Sequence, residues 1–87
     1  MLVAHSFGCA AILQSFHELD EKYKEKITHI ILIDPYFYPL KDSLLSIPIK
    51  PSILLLVNDQ LLAFKDPHQR QELFLNANPT AKCVIWK

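Results

Sequence analysis

In the stretch Val3-Ala-His-Ser-Phe-Gly-Cys-Ala-Ala11, one serine stands among small residues, between an apolar run and the start of a helical pattern. That setting suits a nucleophile elbow, a sharp strand-to-helix turn with the serine at its apex. The turn strains the serine backbone, and the positions two before and two after it must be small for strand and helix to approach. Here those positions are Ala4 and Gly8. Gly8 is the chain's single glycine, expected where the turn needs it. The Phe7 N–H would face a tetrahedral oxyanion, with the positive end of the following helix behind it. The other role open to Ser6 is that of an ordinary helix cap.

A serine needs a base, and the base needs an acid to orient it. In the elbow fold these follow the serine in the order acid, then histidine. Asp34 and Asp59 each close an apolar run, which puts them at strand C-terminal ends, where sites lie in open parallel sheets. Each could equally be a solvated aspartate that starts a turn, and the residues leave the choice of acid open. The histidines are less well placed. His5 adjoins the serine, with its side chain expected on another side of the strand. His17 falls on a polar helix face. His29 sits within an apolar run, as a core histidine would. His68 belongs to the first turn of a surface helix. The base is expected in the loop after the last strand, past Lys87. No His, Cys or carboxylate spacing resembles a metal site, and no cofactor is expected.

These residues require elements to hold them. Met1 to Ala4 suits the last residues of a strand. From Cys9 to Tyr23 the apolar positions Cys9, Ile12, Leu13, Phe16, Leu19 and Tyr23 predict one helix with a buried stripe. Gln14, His17, Glu18, Glu21, Lys22 and Glu25 form its polar face, with Glu18 and Lys22 four apart. Ile27 to Ile33 and Ser52 to Val57 are nearly continuous apolar runs, read as parallel strands buried on both faces. Tyr36 to Pro51 carries Pro39, Pro48 and Pro51 and reads as loop, with a short helical turn near Asp42 to Ser46. Asp66 and Pro67, with Gln69 behind them, predict a capped helix that ends near Asn76. Lys82 to Trp86 predicts a last strand. Alternation of strand and helix implies an α/β fold with a parallel sheet and right-handed crossover helices. No internal repeat and no domain boundary interrupts residues 1–87.

Composition narrows the function classes. Half of the 87 residues are hydrophobic, which excludes a disordered chain. Nine basic residues balance nine acidic ones, so no basic surface invites nucleic acid. No apolar run is long enough to span a membrane, and no signal peptide is visible. The two cysteines, Cys9 and Cys83, make no disulfide framework and are expected to be buried thiols.

Three ordered stretches resemble the platelet-activating-factor acetylhydrolase family, α/β-hydrolases that act on oxidised or short-chain phospholipids. His5-Ser-Phe-Gly8 resembles the family's Gly-His-Ser-Phe-Gly elbow, with Ala4 where the family has Gly. Leu32-Ile-Asp-Pro-Tyr-Phe-Tyr-Pro-Leu40 resembles its Leu-Asp-x-x-x-x-Pro-Leu segment. Ile47-Pro48, Pro51 and Asn58 follow its Ile-Pro-x-Pro run. The resemblance covers essentially all of the chain and implies the C-terminal part of an α/β-hydrolase domain, residues 1–87. It implies Ser6 as nucleophile and Asp34, in preference to Asp59, as acid. The base would lie a few residues past Lys87, and the second oxyanion donor upstream. It further implies a phospholipid or short-chain acyl ester substrate and contact with a membrane or lipoprotein surface. Tyr36, Phe37 and Tyr38 would line an acyl pocket, touch lipid, or pack under their loop. As 87 residues alone, the chain is expected to be inactive for want of its histidine. Two other readings stand beside this one, a non-catalytic interaction module and a serine carboxylesterase or thioesterase of another substrate class.

Overall fold

The computed structural model describes residues 1–60 and 65–86, with the side chains of residues 65–68 left out of the description. Strands β1 (Leu2–His5), β2 (His29–Ile33), β3 (Ser52–Asn58) and β4 (Lys82–Trp86) pair in parallel, in the order β1-β2-β3-β4. Helices α1 (Gly8–Glu18), α2 (Glu21–Lys24), α3 (Asp42–Leu45) and α4 (Lys65–Ala77) lie between them in sequence. The fold is of the α/β class. The backbone is already helical at Lys65, so Asp66 is not the cap expected of it, and the side chains of Asp66 and Pro67 lie outside the described residues.

Each strand is added on the same side of the one before it, so right-handed crossovers fall on one face of the sheet. Burial agrees. Ala4, Ile30, Leu32, Ile53, Leu55 and Val57 form one core with Cys9, Ala10, Leu13 and Phe16 of α1 and Phe74 of α4. Phe37, Leu40 and Leu45, from the segment after β2, complete it.

Among the described residues no helix covers the other face, and Ile31, Ile33, Leu54 and Leu56 on it are only half-buried, which corrects the expectation of strands buried on both sides. Val3, Ile31 and Leu54 lie in register across it, as do Ile33, Leu56 and Val84. Val3 is 50% exposed and Trp86 43%. Both faces of β2 and β3 are apolar in sequence, so the period of two appears only in their burial. Strand β4 is an edge strand, exposed along its whole length. Cys83 is exposed with it, whereas Cys9 is buried as expected, and both thiols are free.

The first helix is shorter than its stripe. Helix α1 stops at Glu18, and Leu19 and Asp20 turn extended before α2 begins. Leu19 and Tyr23, which continue the apolar spacing, are exposed. Glu18 therefore takes a hydrogen bond from Gln14 Nε2 at 2.9 Å, and Lys24 pairs with Glu21 at 3.5 Å.

Helix α4 fastens the long segment after β2. Gln71 Nε2 donates to the Pro35 carbonyl at 3.1 Å. Arg70 donates to the Leu40 carbonyl and to Asp42, each at 2.9 Å. Phe74 packs on Phe37 with ring centres 5.2 Å apart. Beyond the helix, Asn78 Oδ1 accepts the Ile49 N–H at 2.9 Å.

Candidate active site

Ser6 lies between β1 and α1 with φ at 57°. That is the left-handed region, which a residue with a Cβ occupies at a cost of roughly 1–2 kcal/mol. The conformation is held from both sides. Ser6 N–H donates to the Ile33 carbonyl at 2.9 Å. The Ser6 carbonyl accepts the N–H groups of Cys9 at 3.1 Å and Tyr36 at 3.2 Å. The cap position of α1 is Phe7, and no side chain caps the helix. Ser6 is therefore not an ordinary capping serine.

The small neighbours divide. Ala4 is buried where strand and helix meet, as the elbow requires. Gly8 does not fill the role of a small neighbour expected of it, because an added Cβ would meet nothing within 4 Å. It is an exposed first-turn helical residue, and the strained backbone falls on the serine itself.

Phe7 sits at the N-terminus of α1, whose first turn holds no acidic side chain. The helix's positive end, equivalent to about half a charge, is thus left free for a developing anion. The Phe7 N–H has no acceptor among the described residues.

Asp34 is the other residue with positive φ, at 47°. Aspartate tolerates this region better than most side chains do. Because His5 pairs with Ile33 across the sheet, Ser6 and Asp34 are the next residues on adjacent strands. Asp34 N–H donates to the Leu56 carbonyl, and its Oδ1 accepts the Asn58 N–H, both at 2.7 Å. One carboxylate oxygen is thereby fixed. The other lies 3.8 Å from His5 Nε2, beyond hydrogen-bond length. Asp59 follows β3 without a hydrogen bond or ion pair among the described residues, and without a special backbone.

The histidines are not brought to Ser6 as a set. The His5 side chain is 69% exposed and belongs to the bare face, yet it is the one that approaches Asp34. His17 is half-buried beside Phe16, and burial, then Lys24, pushes its pKa down. His29 is exposed at the start of β2 and bonded to Thr28 Oγ1 at 2.8 Å. It is not the core histidine that its apolar run suggested, because it shares the face of Ile31 and Ile33, which α1 and α4 do not cover. His68 lies within α4, and its side chain is outside the described residues. Among the described residues, no cluster of His, Cys, Asp or Glu could hold a metal ion.

Cys9 lies directly under the turn. Its thiol approaches the Ile33 carbonyl at 3.8 Å, and burial, with a smaller push from Asp34, raises its pKa to about 11. It is a packing residue and not a second nucleophile. The aromatic trio also divides. Phe37 is buried on Phe74, Tyr36 meets the Phe7 ring edge-on at 4.5 Å, and Tyr38 is exposed.

A groove of about 490 Å³, lined by Phe16, Ile27, Ile47 and Pro48 among others, opens at the N-terminal ends of the strands. Ser6 and Asp34 lie at the opposite ends, where ligands bind in open parallel sheets. The groove therefore has no part in the site.

Several residues of the site escape a reading of side-chain types. The amides of Tyr36 and Asn58 act through the backbone, which leaves no mark in sequence.

No family model, no curated protein and no solved structure matches the chain.

Proposed function

We propose that the chain carries the nucleophile and the acid of a serine acyl-ester hydrolase of the α/β-hydrolase type. Ser6 Oγ attacks the acyl carbonyl carbon while a histidine takes its proton. Phe7 N–H helps to hold the resulting oxyanion. Collapse of the tetrahedral intermediate breaks the ester C–O bond, the histidine protonates the leaving alcohol, and water then releases the acid from Ser6. Asp34 holds that imidazole through the carboxylate oxygen that Asn58 does not occupy. None of the described histidine side chains is brought to Ser6, and the resemblance implies a histidine and a second oxyanion donor from outside these 87 residues. The resemblance to platelet-activating-factor acetylhydrolases favours a phospholipid or short-chain acyl ester as substrate.

The observation that carries this reading is the left-handed Ser6, wedged between a parallel strand and a helix N-terminus. Strain of this kind persists where the surroundings over-determine it, and it concentrates at functional sites. The test is fluorophosphonate labelling of a native extract, with the mass of the labelled protein read alongside its modified peptide. The expected result is label on the serine of the peptide His5–Ala11, absent after Ser6→Ala. A labelled species several times heavier than 10 kDa also places the base in a longer protein. An unlabelled peptide overturns the reading.

One observation favours a second reading. The bare apolar sheet face suits a non-catalytic binding module, and a 10 kDa species that takes no label would support it.

A further inference from the structure

We infer that Gln71, on α4, is a positioning residue for the site at Ser6. The inference rests on the reading of Ser6 and Asp34 given above.

Gln71 is only 3% exposed and touches neither Ser6 nor Asp34 by any hydrogen bond. A buried amide costs free energy unless it is bonded. Its bond runs 36 residues back along the chain, to the carbonyl of Pro35. Pro35 is itself fully buried, and its position decides the matter. On one side is Asp34, held left-handed, with its carboxylate fixed by Asn58. On the other side is Tyr36, whose N–H fixes the carbonyl of Ser6. Proline donates no N–H, so its carbonyl is the one backbone handle at that residue.

The Gln71 amide takes that handle. It holds the Asp34–Tyr36 turn against the core, and through the turn it holds both the acid and the strained serine. Displacing a reacting group by about 1 Å costs on the order of a hundredfold in rate, so a distant residue can matter through placement alone. Arg70, the next residue, grips the same segment at Leu40 and Asp42. Those contacts lie past Tyr36 and are the natural control.

The substitution is Gln71→Met, close in volume and without a donor. Hydrogen exchange of the Ser6 and Tyr36 amides is compared with that of amides in the β2–β3 ladder. We expect about tenfold faster exchange at Ser6 and Tyr36, with the ladder unchanged. Arg70→Met should leave all of these amides as they are. In the species that takes fluorophosphonate, Gln71→Met should slow labelling of Ser6 at least tenfold, while Arg70→Met should leave that rate as it is. Unchanged exchange at Ser6 and Tyr36 in a folded Gln71→Met protein overturns the inference, as does a rise shared equally with the ladder. Local exchange together with a Ser6 that never labels leaves the turn-holding role standing and removes the hydrolase reading.

Discussion

Ser6 and Asp34 are the two non-glycine residues with positive φ among the described residues, and they sit side by side at the ends of adjacent strands. A serine in this conformation stores energy that a glycine would not. Ser6→Gly should therefore be more stable than Ser6→Ala by about 1 kcal/mol, less whatever the glycine gains in the unfolded chain. In a domain of this size that is a rise in Tm of roughly 4–8 °C. Both variants should lose the fluorophosphonate label. Thermal melts of the pair measure the strain without reference to any substrate. A Ser6→Ala protein more stable than Ser6→Gly would mean that the turn is relaxed and would remove the main support for a nucleophile. The strand-to-helix turn at Ser6 was legible in the sequence from the apolar run before it and the small residues and helical spacing after it. The backbone strain expected at the serine is there, whereas the smallness expected of Gly8 is not required, since an added Cβ would meet nothing within 4 Å.

Helix α1 shows how far a periodic pattern can be trusted. Cys9, Leu13 and Phe16 obey it and are buried, but Leu19 and Tyr23 obey it and are exposed. The stripe continues arithmetically after the helix has stopped, because extended Leu19 and Asp20 re-aim the chain. Asp20 ahead of Glu21 is the local signal, an aspartate at a favoured cap position followed by an acid in the first turn. The energetic consequence differs sharply between two leucines of one stripe. Leu13→Ala should cost about 2–5 kcal/mol, most of what so small a core supplies. Leu19→Ala, at an exposed position, should fall within about 0.5 kcal/mol of the parent. Urea denaturation of the two variants checks the boundary, and a large loss at Leu19 would mean that the helix runs on and buries it. The strands pose the reverse problem. Their order and spacing were readable, but a run apolar on both sides does not say which side is covered.

At the scale of the molecule, the radius of gyration is 12.1 Å, and about 12 Å is expected of a compact chain this long. The bare face is therefore not a sign of expansion. It follows from topology, since a sheet that grows in one direction with right-handed crossovers receives all of its helices on one side. Val3, Ile31, Leu54, Ile33, Leu56 and Val84 are left as a continuous apolar surface, with Trp86 at its margin. Contiguous apolar surface of this kind marks a contact face or a tendency to associate. The balanced charge of the chain adds no repulsion against it. The 87-residue chain should bind an apolar dye such as anilinonaphthalene sulfonate while its near-ultraviolet dichroism stays folded. It should also sediment above 10 kDa at micromolar concentration. Leu54→Lys with Leu56→Lys places charge in the middle of that face without touching the core beneath Leu55, so both effects should fall while far-ultraviolet dichroism is retained. A folded parent chain that binds no dye would show this face to be covered. The crossovers would then not all lie on one side, and α4 would not present Gln71 to the Pro35 carbonyl beside Asp34.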